Sequence, residues 1–327
     1  MNGPTLVIQT AFLGDVVLTT PLLTELAERH GPVDVVATPG AAPLLETHPA
    51  VHRVIRYDKR GRDRGWSGFF RLVRQLRSTG YVRAYLPHRS WRSGAMAWLA
   101  RIPERVGFRD GARVLYTRSV PRATTGHAVE RLLGLAGGTT PAPVTLGLTA
   151  SDFAAADSWL EQRGIKAGFT ALAPGSIWGT KRWPYYKELV TRLPGQAVVL
   201  GGPEDRALAE AVASGAPGRA YAAAGDVGIR ISAALIARAG ILVTNDSAPL
   251  HLATAAGTPI VAIFGPTVPA FGFGPGGSRA AVVEHPGLPC RPCSAHGPQV
   301  CPLGHHRCMM EIGIEDVARA IDRVLGA

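Results

Sequence analysis

A single carboxylate stands in an otherwise apolar stretch near the start of the chain, TLVIQTAFLGDVVLTTP, at residues 5–21. The stretch is typical of a buried strand, a short loop and a helix, which puts Asp15 just past the carboxyl end of the strand. Two roles suit it, and they can coexist: the N-cap of the helix, or a general base facing a cleft. The GxGxxG fingerprint is absent, so no dinucleotide is expected here. Pro21 predicts that the helix kinks or restarts.

A second loop with chemical potential is ALAPGSIWGTKRWP, at residues 171–184. Small residues around Ser176 lead to Lys181, so backbone N–H groups and an ammonium could meet a phosphate. The GxxxxGK[ST] spacing of a P-loop is missing, and a surface loop with two solvated cations is the alternative. In GGPEDRALAE, at residues 201–210, Glu204 stands where a carboxylate can hold a ribose diol, although it also suits a helix start.

The most informative segment is GILVTNDSAPLHLATAAGTPIVAIFGPT, at residues 240–267. A strand leads into Asp246 and Ser247, and a helix is predicted from about Ala248 to Ala256. Small residues at its start leave N–H groups and the helix dipole open to an anion, to which Ser247 can add a hydroxyl. His251, one turn in, either looks at that anion or packs in the interior.

All four cysteines fall within 19 residues near the end of the chain: Cys290, Cys293, Cys301 and Cys308. The first pair has the CxxC spacing of a zinc site, but the second pair is spaced C-x6-C. A structural zinc and reduced, packed thiols therefore both remain open, whereas disulfides are not expected in a reducing compartment.

These residues need elements that position them, and the chain alternates apolar runs with helical patterns throughout. This predicts an α/β protein of two doubly wound domains. A Gly-, Pro- and Thr-rich linker is predicted at residues 137–148, which divides the chain into an N-terminal domain at 1–148 and a C-terminal domain at 149–312. An amphipathic helix at 313–327 follows, and it could pack back towards the first domain.

The charge lies mostly in the first half of the chain. Residues 1–150 hold 20 Lys and Arg against 10 Asp and Glu, whereas the whole chain has a formal net charge of +11. Either the arginines form a solvated surface, or the first half meets a phosphorylated ligand or an acidic lipid surface. No nucleic-acid signature accompanies them. No apolar run is long enough for a membrane span, which predicts a cytoplasmic protein.

Taken together, GDVVLTTP, PGSxxxxKRWP, GGPED and NDSAPLHLATAAGTPIVAIFGPT resemble the ADP-heptose:lipopolysaccharide heptosyltransferases. The closing CRPCSAHGPQVCPLGHHRCM resembles the tail of the second heptosyltransferase of that family. The resemblance runs from the first strand to about Ile312. It implies the GT-B architecture, with two Rossmann-like domains facing a central cleft, and inverting heptosyl transfer without a catalytic metal.

Residue by residue, the resemblance implies that Asp15 is the catalytic base and that Ser176 and Lys181 contact the ADP diphosphate or the heptose. Glu204 would hold the adenosine ribose. The sugar and phosphate pocket would be lined by Asp246, Ser247, Ala248 and His251. The lipid-linked acceptor is anionic and lies at the cytoplasmic face of the inner membrane, and the candidates to meet it are Arg60, Arg62, Arg89 and Arg92.

Three alternatives remain at this stage. A member of the same family could use another nucleotide sugar or glycan acceptor. A sugar-nucleotide epimerase of the same fold would turn over its ligand without an acceptor. A non-catalytic binding module would have no need of a carboxylate at position 15, since Ser or Asn would cap the helix equally well.

Overall fold

The computed structural model describes residues 3–138 and 142–326, and the chain divides into two compact units, Met1–Gly147 and Leu148–Ala327. Each unit contains one six-stranded sheet in which all neighbouring strands are parallel. Parallel sheets bury both faces under helices, which is why the central strands are continuous apolar runs. The predicted α/β class is confirmed.

In the first unit the strand order is β3-β2-β1-β4-β5-β6. Its strands are β1 (Thr5–Gln9), β2 (Val33–Ala37), β3 (Val51–Arg56), β4 (Arg83–Leu86), β5 (Glu104–Phe108) and β6 (Arg118–Val120). Its helices are α1 (Leu13–Leu18), α2 (Thr20–His30), α3 (Gly65–Thr79), α4 (Trp91–Leu99) and α5 (Ala128–Leu133). Central strand β1 is fully buried, with Val7 in register between Val35 of β2 and Tyr85 of β4.

In the second unit the strand order is β12-β11-β10-β7-β8-β9. The order in which the chain adds strands switches from one side of the sheet to the other between β7 and β10, as it does between β1 and β4 in the first unit. Its strands are β7 (Thr170–Ala173), β8 (Ala197–Val199), β9 (Ala220–Ala222), β10 (Ile241–Asn245), β11 (Ile260–Phe264) and β12 (Ala280–Glu284). Its helices are α6 (Ala150–Glu161), α7 (Tyr186–Arg192), α8 (Arg206–Ala213), α9 (Ile229–Arg238), α10 (Ala248–Ala256), α11 (Arg307–Met310) and α12 (Ile314–Leu325). In such sheets, ligands bind beyond the carboxyl ends of the strands at the switch.

Helix ends follow local chemistry. α3 ends at Gly80, whose φ of 71° lies in the left-handed region that glycine adopts readily. α6 is capped by Thr149. The Asp152 carboxylate accepts the Thr149 N–H at 2.7 Å, completing a capping box.

The predicted linker and the C-terminal helix each pack on one of the two units. Residues 139–141 of the predicted linker lie outside the described residues, and residues 142–148 form neither helix nor strand. Thr145 hydrogen-bonds to His48 at 2.8 Å and to Thr20 at 3.1 Å, so this end of the segment packs on the first unit. α12 packs on β10, β11, β12 and α7, so it is an integral part of the second unit.

Within the described residues, none of the helices is long and apolar enough to span a bilayer.

Candidate functional site

In the first unit, Asp15 is the third residue of α1, directly beyond the carboxyl end of β1. It is not the N-cap, which is Phe12. Its carboxylate nevertheless caps the helix from inside, because Oδ2 accepts the Phe12 N–H at 3.2 Å. The side chain is half-buried. One carboxylate oxygen thus fixes the orientation of Asp15 at the edge where a parallel sheet binds its ligands.

The backbone around Asp15 is held by a second set of hydrogen bonds. The Thr19 hydroxyl donates to the Asp15 carbonyl at 2.6 Å and accepts from Gln9 Nε2 at 2.9 Å. A new helix, α2, begins at Thr20, with Pro21 as its second residue. Of the predicted kink and restart, the structure therefore shows the restart. The turn that carries Asp15 is therefore tied to β1 on one side and to α2 on the other.

Two polar residues that the sequence did not single out lie at the same edge. Lys59 Nζ donates to the Thr10 carbonyl at 2.6 Å, and His88 Nε2 lies 3.4 Å from Thr10 Oγ1 and 3.1 Å from Ser93 Oγ. Burial, together with the Lys59 ammonium, lowers the pKa of His88 to about 4, so its imidazole is neutral at pH 7. The available signal was position: His88 follows β4, which lies beside β1, and Lys59 follows β3, which lies two strands from β1.

The four arginines predicted to meet the acceptor have different surroundings. Arg92 donates to Tyr57 Oη at 2.6 Å and to the Gly65 carbonyl at 2.9 Å, so it braces α4 against the start of α3. Arg89 lies 3.6 Å from Asp110. Arg62 is exposed, with its Nε 3.8 Å from Asp63.

Arg60 and Arg92 act together on Lys59. Burial and these two guanidinium groups lower the pKa of the Lys59 ammonium, which places all three cations in one positive region. The structure therefore brings Arg60 and Arg92 together with Lys59, whereas Arg62 and Arg89 each lie beside an acidic partner.

In the second unit, the loops after β7 and β10 meet through a buried ion pair. Lys181 Nζ lies 2.5 Å from Asp246 Oδ2, and both side chains are only 9% exposed. The Thr267 hydroxyl donates to the same carboxylate oxygen at 2.6 Å. Asp246 lies two residues before the start of α10, so its pair with Lys181 holds the ammonium near the helix N-terminus. The helix dipole is also positive there.

Asn245, the last residue of β10, fixes the two loops to each other. Its Nδ2 donates to the Pro174 carbonyl at 2.8 Å, and its Oδ1 accepts from the Trp183 N–H and the Tyr186 hydroxyl at 3.2 Å each. A buried amide with its partners in place rigidifies its surroundings. Asn245 and Thr267 were missed as site residues because each is one polar residue whose partners are far away in sequence.

The remaining predicted residues lie at the same edge of the second sheet. Ser176 is buried, and its Oγ accepts the Trp178 N–H at 3.2 Å. Ser247 is the N-cap of α10, but its side chain makes no capping hydrogen bond, and Ala248 is the first residue, as predicted. His251 is buried one turn in, with its ring centroid 6.3 Å from that of Phe273.

Glu204 lies exposed in a turn after β8, and the neighbouring Asp205 anchors that turn. Asp205 Oδ2 accepts the Gly202 N–H at 3.1 Å, and burial raises the pKa of this carboxyl. A Cβ on Gly175 would meet the Asp205 carboxylate at 2.5 Å. The loops after β7 and β8 can therefore pack this closely only because position 175 is glycine.

The four cysteines are free thiols. Cys293 Sγ donates to the Cys290 carbonyl at 3.3 Å, and Cys308 is buried in the core of the second unit. Among residues 3–138 and 142–326, no three His, Cys, Asp or Glu side chains are placed as ligands of one metal ion.

Chemically, the second unit gathers what a nucleoside diphosphate needs. A buried ammonium and a helix N-terminus suit the diphosphate, and the exposed Glu204 carboxylate suits a diol. The first unit supplies a fixed carboxylate and, separately, a positive region around Lys59.

Comparison with known proteins gives one family. Residues 69–301 match the model of glycosyltransferase family 9 (heptosyltransferase). The chain is 31% identical to lipopolysaccharide heptosyltransferase 1 of Pseudomonas aeruginosa, over 88% of this chain and 85% of that protein. It is 28% identical to lipopolysaccharide heptosyltransferase 2 of Escherichia coli K12, over 81% and 84%. Relatives named heptosyltransferase 1 and heptosyltransferase 2 thus match the chain at similar identity.

Solved structures agree on the fold. A family 9 glycosyltransferase from Veillonella parvula superposes with a TM-score of 0.87 at 24% identity, covering 99% of this chain and 98% of that one. The E. coli ADP-heptose lipopolysaccharide heptosyltransferase II superposes with a TM-score of 0.79 at 25% identity, covering 98% of each. The two parallel six-stranded sheets are thus those of the GT-B heptosyltransferase structures.

Proposed function

Because the chain belongs to glycosyltransferase family 9, the heptosyltransferase family, we propose that it transfers a heptose from ADP-heptose to an inner-core lipopolysaccharide acceptor, a Kdo- or heptosyl-lipid A. The relatives that support this are lipopolysaccharide heptosyltransferases by name, and one is described as using ADP-heptose. The observation that carries the proposal is the buried Lys181–Asp246 pair at the start of α10.

In this proposal the second unit holds the donor substrate. Lys181 and the start of α10 at Ser247 and Ala248 take the diphosphate, with Ser176 beside it, and Glu204 takes the ribose hydroxyls. Asp246 uses its carboxylate to orient the Lys181 ammonium, whose remaining N–H groups can reach phosphate oxygens. His251 and Asp246 line the sugar end of the pocket.

The reaction we propose is a single displacement with inversion. The acceptor hydroxyl oxygen bonds to C1 of the heptose on the face opposite the diphosphate, and the C1–O bond to ADP breaks. Asp15 takes the proton of the attacking hydroxyl, a role that contributes about 10²–10⁴-fold. Lys181 and the dipole of α10 stabilise the negative charge that develops on ADP, so the proposed step needs no metal.

The acceptor belongs to the first unit in this proposal. Its phosphates and carboxylates are anionic, and the positive region formed by Lys59, Arg60 and Arg92 suits them, with Arg62 and Arg89 as further candidates. The lipid part of the acceptor lies in the cytoplasmic face of the inner membrane, so the enzyme works as a cytoplasmic protein at that surface.

The test is turnover of defined substrates. The protein is incubated with ADP-heptose, with and without a deacylated, soluble Kdo- or monoheptosyl acceptor, and ADP release and product mass are followed. We expect ADP release only with the acceptor, and a product heavier by one heptose. Turnover of the sugar nucleotide without an acceptor would indicate an epimerase or hydrolase. Equal turnover of ADP-glucose or a UDP-sugar would contradict the assignment of the donor substrate.

A further inference from the structure

Exposed aromatic side chains are confined to two neighbouring helices. In the part of the chain that the structure describes, every exposed Trp and Phe lies on α3 or α4, namely Trp66 (73% exposed), Phe70 (49%), Trp91 (62%) and Trp98 (53%). Contiguous exposed apolar surface of this kind marks an interaction site more often than chance.

The aromatic side chains of α3 are held in place. The Trp66 ring stacks on Phe70 with ring centroids 6.0 Å apart, and both rings contact the buried Phe69 at 5.8 and 5.3 Å. Phe69 belongs to the core of the first unit. The two exposed rings are therefore presented on a rigid base.

A row of arginines continues the same face of α3. Arg71, Arg74 and Arg77 are exposed and follow Phe70 at helical spacing. Together with Phe70, Val73 and Leu99 of α4 they line a groove of about 570 Å³. Arg71 pairs with Asp63 at 3.0 Å, but within the described residues neither Arg74 nor Arg77 has an acidic partner. The surface thus combines an apolar floor with a cationic rim.

Charge decides which occupant fits this surface. From Lys59 to Arg101 the sequence holds eleven Lys and Arg and one acidic residue, Asp63. A second copy of the chain on the same face would set like charges against each other, which is unfavourable. Trp beside Arg is the combination found where a protein lies in a lipid interface, with rings at headgroup level and guanidinium groups on lipid phosphates.

We infer that the α3–α4 surface docks on an anionic lipid bilayer. Its docking residues are all on α3: Trp66, Phe70, Arg71, Arg74 and Arg77. The inference rests on the proposed function, since a lipid-linked acceptor lies in such a bilayer, and it names the surface that makes the contact. Trp66 and Phe70 enter the headgroup region, while the arginines bind lipid phosphates. Each arginine near the surface strengthens binding about fivefold.

The test measures binding of the full chain to vesicles, with no sugar nucleotide or acceptor present. Co-sedimentation is compared for phosphatidylcholine vesicles and for vesicles that also contain phosphatidylglycerol. We expect binding only to the anionic vesicles. Arg74→Gln with Arg77→Gln should weaken it about 25-fold, from about fivefold for each arginine. The matched control is Lys166→Gln with Lys187→Gln, two exposed cations of the second unit, and it should bind as the wild type does.

The aromatic contribution is tested in the same way. Trp66→Ser with Phe70→Ser should weaken binding at least tenfold, whereas Val300→Ser with Leu303→Ser, which removes exposed apolar side chains of the second unit, should not. Circular dichroism and thermal melting establish that each variant is folded. The inference would be overturned if either double variant of α3 bound the anionic vesicles as strongly as the wild type does. So would equal binding to both vesicle types, or a wild-type dimer that Trp66→Ser with Phe70→Ser converts to a monomer.

Turnover of the soluble, deacylated acceptor separates this inference from the proposed function. Variants of the α3–α4 surface should turn it over at the wild-type rate, because no bilayer is involved. Vesicle binding without any turnover would contradict the transferase and leave the docking surface intact. Turnover without vesicle binding would contradict the docking surface alone.

Discussion

Lys181 and Asp246 each offset the unfavourable burial of the other's charge in the protein interior. Both are nearly removed from water, where an isolated charge is strongly unfavourable. The Thr267 hydroxyl donates to the same Asp246 oxygen, which fixes the carboxylate. The pair therefore has a structural role in the absence of any ligand, and a substitution of Lys181 affects folding as well as catalysis.

Breaking this pair should destabilise the second unit. We expect Lys181→Met to lower the free energy of unfolding by about 3–5 kcal/mol, because it leaves a buried carboxylate without its cation. Adding Asp246→Asn should recover most of that loss, since the amide oxygen still accepts from Thr267. Urea denaturation measures both effects.

Binding of ADP then separates the two roles of Lys181. Calorimetry should find weaker ADP binding in both the single and the double variant, although only the single variant is unstable. A stable double variant with wild-type affinity for ADP would contradict a contact between Lys181 and the diphosphate.

At this scale the sequence could predict residues that belong to a motif, but not their partners. Asp246 directly follows β10, and Asp15 and Lys181 lie in the motifs that follow β1 and β7, which is why all three were found. The pairing of Lys181 with Asp246 depends on β7 lying next to β10, a long-range fact that no local pattern contains. Lys59 and His88 lie in loops without a motif, and Thr267 ends a motif but contacts Asp246 from far along the chain. The N-cap, one of the two roles that suit Asp15, falls on Phe12, because sequence locates the first residue of a helix poorly.

Two ion pairs tie α6 to α9, and the one between Asp152 and Arg230 is the more buried. Arg230 Nε donates to Asp152 Oδ1 at 2.8 Å, and Asp152 also accepts from Thr149 at the start of α6. The hydrogen bonds from Arg230 hold the pKa of Asp152 well below its ordinary value of 3.8, against the opposing effect of burial. A carboxyl with a lowered pKa stabilises the fold at pH above its ordinary pKa, and that contribution is lost as the pH falls through its value in the folded state.

Asp152→Asn should therefore lower the free energy of unfolding at pH 7 by about 1.5–3 kcal/mol, the range for hydrogen bonds to charged groups. The difference from the wild type should narrow as the pH falls below about 4. Asp157→Asn is the matched control, because its pair with Arg238 is exposed and should matter less. Urea denaturation at pH 7, 5 and 3 checks this, and a difference that widens in acid would contradict it.

The cysteine-containing segment gives a second prediction at the scale of elements. Burial raises the pKa of the Cys308 thiol to about 11, whereas the other three thiols are more exposed. Because the thiolate is the reactive form, we expect Cys308 to react far more slowly than the others with a thiol reagent at pH 8. Cys308→Ala should remove that slow phase.

Metal content tests the same segment independently. We propose that the four thiols are packed and hold no metal, so protein purified without chelating resin should contain far less than one zinc per chain. Stoichiometric zinc, released together with a gain in thiol reactivity, would contradict packed thiols.

For the whole molecule, alternation of strands and helices predicted both sheets, because fully buried parallel strands are continuous apolar runs. Among the described strands, β5, β6, β9 and β12 lack such a run. β6 and β9 have three residues each, and β12 is a half-exposed edge strand, so none is an apolar run of ordinary strand length. β5 begins with Glu104-Arg105, two charged residues that hide its buried end. The strand order came from the structure alone.

The most direct measurement is acceptor-dependent ADP release by Asp15→Asn. Asparagine keeps an oxygen that can accept the Phe12 N–H, so the start of α1 is preserved, but an amide cannot take the proton of the acceptor hydroxyl. We predict that kcat falls about 10²–10⁴-fold, while ADP binding is unchanged and the control Asp157→Asn is as active as the wild type. Release of ADP by Asp15→Asn at the wild-type rate would contradict the assignment of Asp15 as the base.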